Sequence, residues 1–301
     1  MSKKVFVSYC HRQGEWVWGR LVPCLRYGGA DVLVDRERSK AGFGVIEQMN
    51  DAQDAAEMSV LVLTPDYLRS DYCLHEMKRA IVSRRPDKGL VIPVKREDCP
   101  LPDEIESAKP LWVNLSDDKN AGQWNLLLGA CGADLGAEAP HWLEARDEIV
   151  RYLQRDQSIN LVINGNPKWR EMINHIQSDL LPELGVVDLD SGGATTRRGL
   201  VTEILKACGI TRRVPSKEDL IELHNALSAR NMSHIAMLRL DHATHRNYGI
   251  DLFSTLRFLI MESRKLALLA QSRQHFSQLL PQDHPLSSID LKTVELNGHK
   301  R

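Results

Sequence analysis

Short apolar blocks alternate with longer amphipathic stretches along the first 133 residues. The blocks are Val5–Ser8, Asp31–Asp35, Ser59–Thr64, Leu90–Val94 and Leu111–Leu115, each of strand length. Ser-Val-Leu-Val-Leu-Thr at 59–64 is apolar at successive positions, as a parallel strand covered on both faces has to be. The stretches between the blocks keep helical spacing. Glu15–Arg26 puts Val17, Leu21, Cys24 and Leu25 on one side, with Pro23 expected to kink it and Gly28-Gly29 to end it. Val45–Ala56 repeats the pattern through Ile46, Met49 and Ala56. Ser70 suits the cap of the next helix and Asp71 its first turn, while Leu74, Met77 and Ile81 supply its expected buried face. Gln123–Cys131 is a short closing helix. Strand–helix alternation with short links predicts an α/β fold, a flavodoxin-like five-stranded parallel sheet with helices on both faces.

The second half repeats that order. Residues 134–140 (Asp-Leu-Gly-Ala-Glu-Ala-Pro) read as a linker between a domain at 1–133 and another at 141–301. A helix is expected at His141–Gln154, a strand at Ile159–Ile163, a helix at Trp169–Leu181 and a strand at Val186–Asp190. The Gly-rich turn Ser191–Thr196 precedes a helix at Gly199–Cys208. A helix at Lys217–Ala229, an apolar strand at His234–Asp241, a helix at Tyr248–Ser263 and strands at Lys265–Gln271 and Leu291–Leu296 complete a second three-layer α/β unit.

Composition narrows the function classes. A chain of 301 residues accommodates two such domains. With 43% hydrophobic and 26% charged residues, it is neither disordered nor fibrous. Lys and Arg number 39 against 40 Asp and Glu, so no bulk charge favours nucleic acid or an anionic membrane. No apolar run approaches the roughly 18 residues of a spanning helix. Met1-Ser2-Lys3-Lys4 leads directly into the first strand, so no leader is expected. The six cysteines are scattered without a Cys-x-x-Cys pair, which reads as reduced thiols in a cytoplasmic protein.

Ligands of an open parallel sheet bind at the carboxyl ends of its strands. Three such ends carry polar or special residues here. They are Ser8-Tyr9-Cys10-His11-Arg12, the charged loop Asp35-Arg36-Glu37-Arg38-Ser39-Lys40-Ala41-Gly42, and Thr64-Pro65-Asp66-Tyr67-Leu68-Arg69-Ser70, which leads to Glu76. Cys10, His11, Cys73 and His75 lack metal-ligand spacing, and no metal is expected.

These residues resemble a Toll/interleukin-1 receptor (TIR) domain of the bacterial kind. Val5-Phe6-Val7-Ser8-Tyr9 is similar to the family's first box, and 35–42 sits where the family has its BB loop. Ser70-Asp71-Tyr72-Cys73-Leu74-His75-Glu76 resembles its Ser-x-Trp-Cys-x-x-Glu stretch, with Tyr72 in place of Trp. The resemblance implies that Glu76 is the catalytic carboxylate of NAD-cleaving members, with NAD+ as substrate and no cofactor. Other members are scaffolds without activity, so an adaptor that recruits other TIR domains is the alternative. A nucleoside-cleaving N-glycosidase is a third reading.

The chemistry suits a single carboxylate. Nicotinamide is already cationic in NAD+, so it leaves neutral without a general acid, and an anion has only to hold the ribose hydroxyls and the oxocarbenium-like centre. Tyr9 or Tyr72 is a candidate to stack on a flat base. Arg12 or Arg36 is a candidate for the pyrophosphate, and Ser8 and Ser70 for ribose. Read without the resemblance, Glu76 is a solvated helix residue and Ser70 a plain cap. The resemblance further implies that Arg36, Arg38, Lys40 and Gly42 are interface or gate residues in self-association, and that NAD+ depletion serves bacterial anti-phage defence by a gated effector.

The second half faintly resembles a P-loop ATPase of the STAND or AAA type. Ile235-Ala236-Met237-Leu238-Arg239-Leu240-Asp241 is similar to a Walker B strand, and Leu266–Ser272 lies where a sensor strand would. The phosphate loop itself is missing, because Asn164-Gly165-Asn166-Pro167-Lys168-Trp169-Arg170 has neither the second glycine nor Lys-Ser/Thr. A degenerate ATPase-like module for oligomerisation, sensing or partner binding is therefore expected, with a separate sensor protein as its candidate partner. Asp241 is expected to be structural, the Gly192-Gly193 turn an ordinary turn, and His242-x-x-His245 a polar loop.

Overall fold

A computed structural model of the chain describes residues 2–34, 45–84, 90–108, 112–165, 168–211, 218–245 and 248–297. Its contacts divide it into two units, Met1–Leu143 and Glu144–Arg301, each built on a five-stranded parallel sheet. No described helix is long and apolar enough to cross a membrane.

In the first unit, β1 (Lys4–Tyr9) leads through a 3-10 turn into α1 (Gly14–Trp16), a π turn at Val17–Leu21 and α2 (Val22–Tyr27). The π turn is the structure's answer to Pro23, which has no N–H for the carbonyl four residues back. The Val22 amide instead reaches Val17, and Pro23 sits in the first turn of α2, where its missing donor is harmless. The expected kink is thus an inserted register shift. Next come β2 (Asp31–Val34), α3 (Val45–Ala55), β3 (Met58–Leu63), α4 (Pro65–Arg69) and α5 (Asp71–Arg84). The unit continues with β4 (Val91–Lys95), α6 (Asp103–Ala108), β5 (Val113–Asn114) and α7 (Ala121–Ala130).

The strand order β2-β1-β3-β4-β5 is the flavodoxin-like one expected. It places β1 and β3 side by side, with Ser8 level with Leu61. Of the fifth strand expected at Leu111–Leu115, Leu111 lies outside the described residues, and among the described ones Val113 and Asn114 pair with β4. One core cluster joins Phe6, Leu33, Ala52 and Ala56. Another joins Leu61, Leu63, Tyr67, Cys73 and Met77.

The segment expected as a linker is packed. Leu135 and Ala139 are buried, and the Asp134 amide donates to the Gly28 carbonyl at 2.8 Å. Gly28 has to be glycine there, since a Cβ would lie 2.7 Å from that of Ala133. Tyr27 stacks on Trp142 at 5.9 Å. The division between units therefore falls inside α8 (Ala139–Leu153) and not at 134–140.

The second unit carries β6 (Ile159–Asn164), α9 (Trp169–His175) with a π turn after it, β7 (Gly185–Asp188), α10 (Arg197–Ala207), α11 (Asp219–Ser228), β8 (Ser233–Leu238), α12 (Ile250–Met261), β9 (Leu266–Ser272), α13 (Phe276–Leu279) and β10 (Lys292–Asn297). Its order is β10-β6-β9-β8-β7, with the fully buried β9 between β6 and β8. The Gly192–Ala194 turn leads to Thr196, whose hydroxyl caps α10 by accepting from Gly199 at 3.1 Å.

The strand expected to run to Asp241 stops at Leu238. Arg239 takes a left-handed backbone, φ +57°, and Asp241 falls in the following turn. Two interactions hold that strained residue. Its amide donates to Gln271 at 2.8 Å, and its guanidinium grips Asp188 at 2.6 and 2.8 Å and also Asp190. Burial pushes the Asp188 carboxyl up, but Arg239, the Asp190 amide and Arg170 outweigh it and hold it below its usual range. A lowered carboxylate contributes stability above its unfolded pKa of about 3.9 and loses it as pH falls through the folded value. Arg239→Gln is therefore expected to move acid unfolding to higher pH, and an acid titration followed by circular dichroism measures the shift.

Candidate active site

The site forms where β1 and β3 end. Thr64 closes β3, and its hydroxyl accepts the Tyr67 amide at 3.1 Å, capping α4 with Pro65 in the first turn. This short helix was not foreseen, although a Thr-Pro start signals one. It turns Tyr67 completely inward. Ser70 caps α5 as expected, accepting the Cys73 amide at 3.3 Å.

On α5 the buried positions are Cys73, Glu76, Met77 and Ala80, the spacing of one helical stripe. Leu74 and Ile81, expected on that face, are only half-buried. The helix is rotated so that a glutamate lies within its apolar stripe, 6% exposed. A buried carboxylate needs donors. Ser8, 1% exposed at the end of β1, gives its hydroxyl proton to Glu76 Oε2, and the Tyr67 hydroxyl lies 2.9 Å from Ser8 Oγ. A hydroxyl has one proton. With Ser8's proton on the carboxylate, Tyr67 is the donor to Ser8, and the three form a directed chain. Burial lifts the Tyr67 phenol well above its usual range against the Ser8 bond, and the Glu76 charge adds to the rise. From α3, the Gln53 carboxamide donates to the Glu76 main-chain carbonyl at 3.0 Å.

Glu76 lines a cavity of about 260 Å³ with Tyr9, Cys10, His11, Ser70 and Tyr72. Cys73 also borders it, its thiol pushed up to about 11 by burial. The Tyr9 hydroxyl accepts from the Trp18 indole at 2.9 Å, which fixes its ring. Of the residues singled out from the sequence, Ser8, Tyr9, Ser70, Tyr72 and Glu76 thus converge. Arg12 does not: its exposed guanidinium pairs with Asp66 at 3.1 Å. Arg36, Arg38, Lys40 and Gly42 lie outside the described residues. Tyr67 and Gln53 are the residues the sequence reading missed.

Residues 5–128 match the family model described as TIR domain. They form a TIR domain. Toll-like receptor 6 of Bos taurus is 25% identical over 72 residues, which are 24% of this chain and 9% of that receptor. The chain spans about a tenth of that relative's length. The TIR domain of the Toll-related receptor TRR-2 of Hydra magnipapillata is 20% identical with a TM-score of 0.38, covering 43% of this chain and 98% of that one. A Walker-type ATPase of Pyrococcus abyssi is 13% identical with a TM-score of 0.36, covering 51% of this chain and 52% of that one.

Beyond the TIR domain, a cavity of about 410 Å³ opens at the ends of β6, β8 and β9, beside Gly165, Trp169, Arg239, Asp241 and Arg273. Asp241 accepts the Arg273 amide at 2.8 Å, a structural bond. Lys168 lies 3.9 Å from Glu171, and His242 pairs with Asp190 at 3.2 Å. Among the described residues no group of three or more His, Cys, Asp or Glu is placed to hold a metal ion.

The directed chain has an alkaline signature. Tyr67's raised folded pKa stabilises the fold below pH 10, the unfolded phenol's value, and that contribution is lost as pH rises above it. Tyr67→Phe is expected to cost about 1 kcal/mol at neutral pH and to show a shallower stability loss above pH 10, measured by urea unfolding across pH.

Proposed function

We propose that the TIR domain cleaves NAD+ between nicotinamide and ribose, releasing nicotinamide and ADP-ribose or a cyclised product, with Glu76 as the catalytic carboxylate. The observation that carries this reading is a glutamate buried in an apolar helix stripe that nonetheless borders an open cavity at the carboxyl ends of β1 and β3. Structural economy does not call for an anion there.

The cavity's size suits one end of the dinucleotide, the nicotinamide ribose, and not the whole. Tyr9 and Tyr72 offer flat walls for the pyridinium ring. As the glycosidic bond lengthens, its electron pair goes to the ring nitrogen and neutralises it, while positive charge develops on the ribose. Glu76 answers that charge in place, and the Ser8 bond keeps one carboxylate oxygen oriented while the reaction proceeds. Water then adds to the anomeric carbon and loses a proton, giving ADP-ribose; attack by the adenine gives a cyclic product instead. Ser8's part is to hold the carboxylate, so ribose contact falls to Ser70, Glu76 and the cavity rim.

The reading extends to a gated effector in which TIR–TIR association raises turnover, with 35–42 at the contact. The carboxy-terminal unit is the ATPase-like module that holds copies together or receives a partner protein. In a bacterial cell the resulting NAD+ depletion serves anti-phage defence.

The decisive measurement is nicotinamide release from NAD+ by the full-length chain at rising protein concentration. Release is expected to steepen with concentration, and Glu76→Ala to lower it by about a hundredfold or more. Wild-type protein inert in every assembled state establishes the adaptor reading instead. Cleavage of free nucleosides without cleavage of NAD+ establishes the nucleosidase reading.

A further inference from the structure

We propose that Gln53 is a positioning residue for Glu76 that acts through the main chain of α5; the proposal rests on the NAD+-cleaving reading of Glu76. Gln53 is 1% exposed, next to Ala52 on a helix face that packs against Phe6 and Leu33. A polar amide buried among such neighbours has a desolvation cost that an apolar side chain of the same length would not have. Its carboxamide meets the Glu76 carbonyl at 3.0 Å. That carbonyl lies in mid-helix, where the amide four residues on is its regular partner. It has no need of a second donor for its own satisfaction. The bond therefore adds little net stability, and what it does fix is the turn of α5 that carries the carboxylate.

The next residue supports the same assignment. Asp54 holds Arg79 at 2.5 Å, three positions beyond Glu76 on α5. Adjacent residues of α3 thus grip α5 at 76 and 79, one inside and one at the surface. Ser8 orients the head of the Glu76 side chain, and Gln53 holds its root. A reacting group displaced by about 1 Å loses up to about a hundredfold in rate, so a tie of this kind acts on turnover more than on binding.

The test measures kcat and KM for NAD+ with the full-length chain under conditions where the wild type assembles. Gln53→Met keeps the length and removes the donor, while Gln53→Glu keeps the shape and removes the N–H. Both are expected to lower kcat by about tenfold with KM within about twofold. Arg79→Ala, which removes the half-buried partner of Asp54, is expected to lower kcat in the same direction by a smaller factor, and it decides the matter should the Gln53 variants not fold. Ala52→Gly serves as a stability control. Wild-type kcat in Gln53→Met, or a loss that merely tracks the folded fraction as in Ala52→Gly, overturns the positioning role while leaving Glu76 intact. A wild type that releases no nicotinamide overturns the reading of Glu76 itself, and the role of Gln53 with it.

Discussion

One buried charge organises the amino-terminal unit. Glu76 occupies a position that helix geometry assigns to the core, between Cys73 and Ala80. An unsupported carboxylate there would cost several kcal/mol. Its side-chain support comes from Ser8 of β1 with Tyr67 of α4 behind it, while Gln53 of α3 ties the main chain at the same residue. Ser8 lies 68 residues from Glu76 and Gln53 23, so the site exists only once β1 and β3 lie side by side and α3 and α5 have docked. Fold and site are the same set of contacts.

That dependence explains what the sequence showed and what it hid. The strands were legible because their apolar runs are compact, and Ser59–Thr64 declares its double burial residue by residue. Ser70 was legible as a cap because its chemistry is local. The face of α5 was misjudged because a glutamate counts as polar in any periodicity, so Leu74 and Ile81 looked like better inward residues than Glu76. Gln53 was hidden for the same reason, although it adjoins Ala52 of an Ala52–Ala56 pair at helical spacing. Tyr67 carries a local signal, the Thr64-Pro65 start of α4. Pairing partners such as β9 between β6 and β8 are non-local and leave no mark on a single chain.

The two units meet their carboxylates differently. In the first, the Ser8 hydroxyl, with Tyr67 behind it, orients a carboxylate that borders a cavity. In the second, Asp188 and Asp190 are met by the full charge of Arg239, on a backbone bent into the left-handed region to reach them. A hydroxyl orients a carboxylate, whereas a guanidinium also neutralises it.

The thiol of Cys73 beside the carboxylate has a consequence of its own. Burial raises its pKa to about 11, so the thiol and not the thiolate prevails there at neutral pH. Peroxides and soft electrophiles attack thiolates, not thiols. The cavity wall formed by Cys73 is therefore a neutral, weakly reactive thiol beside Glu76.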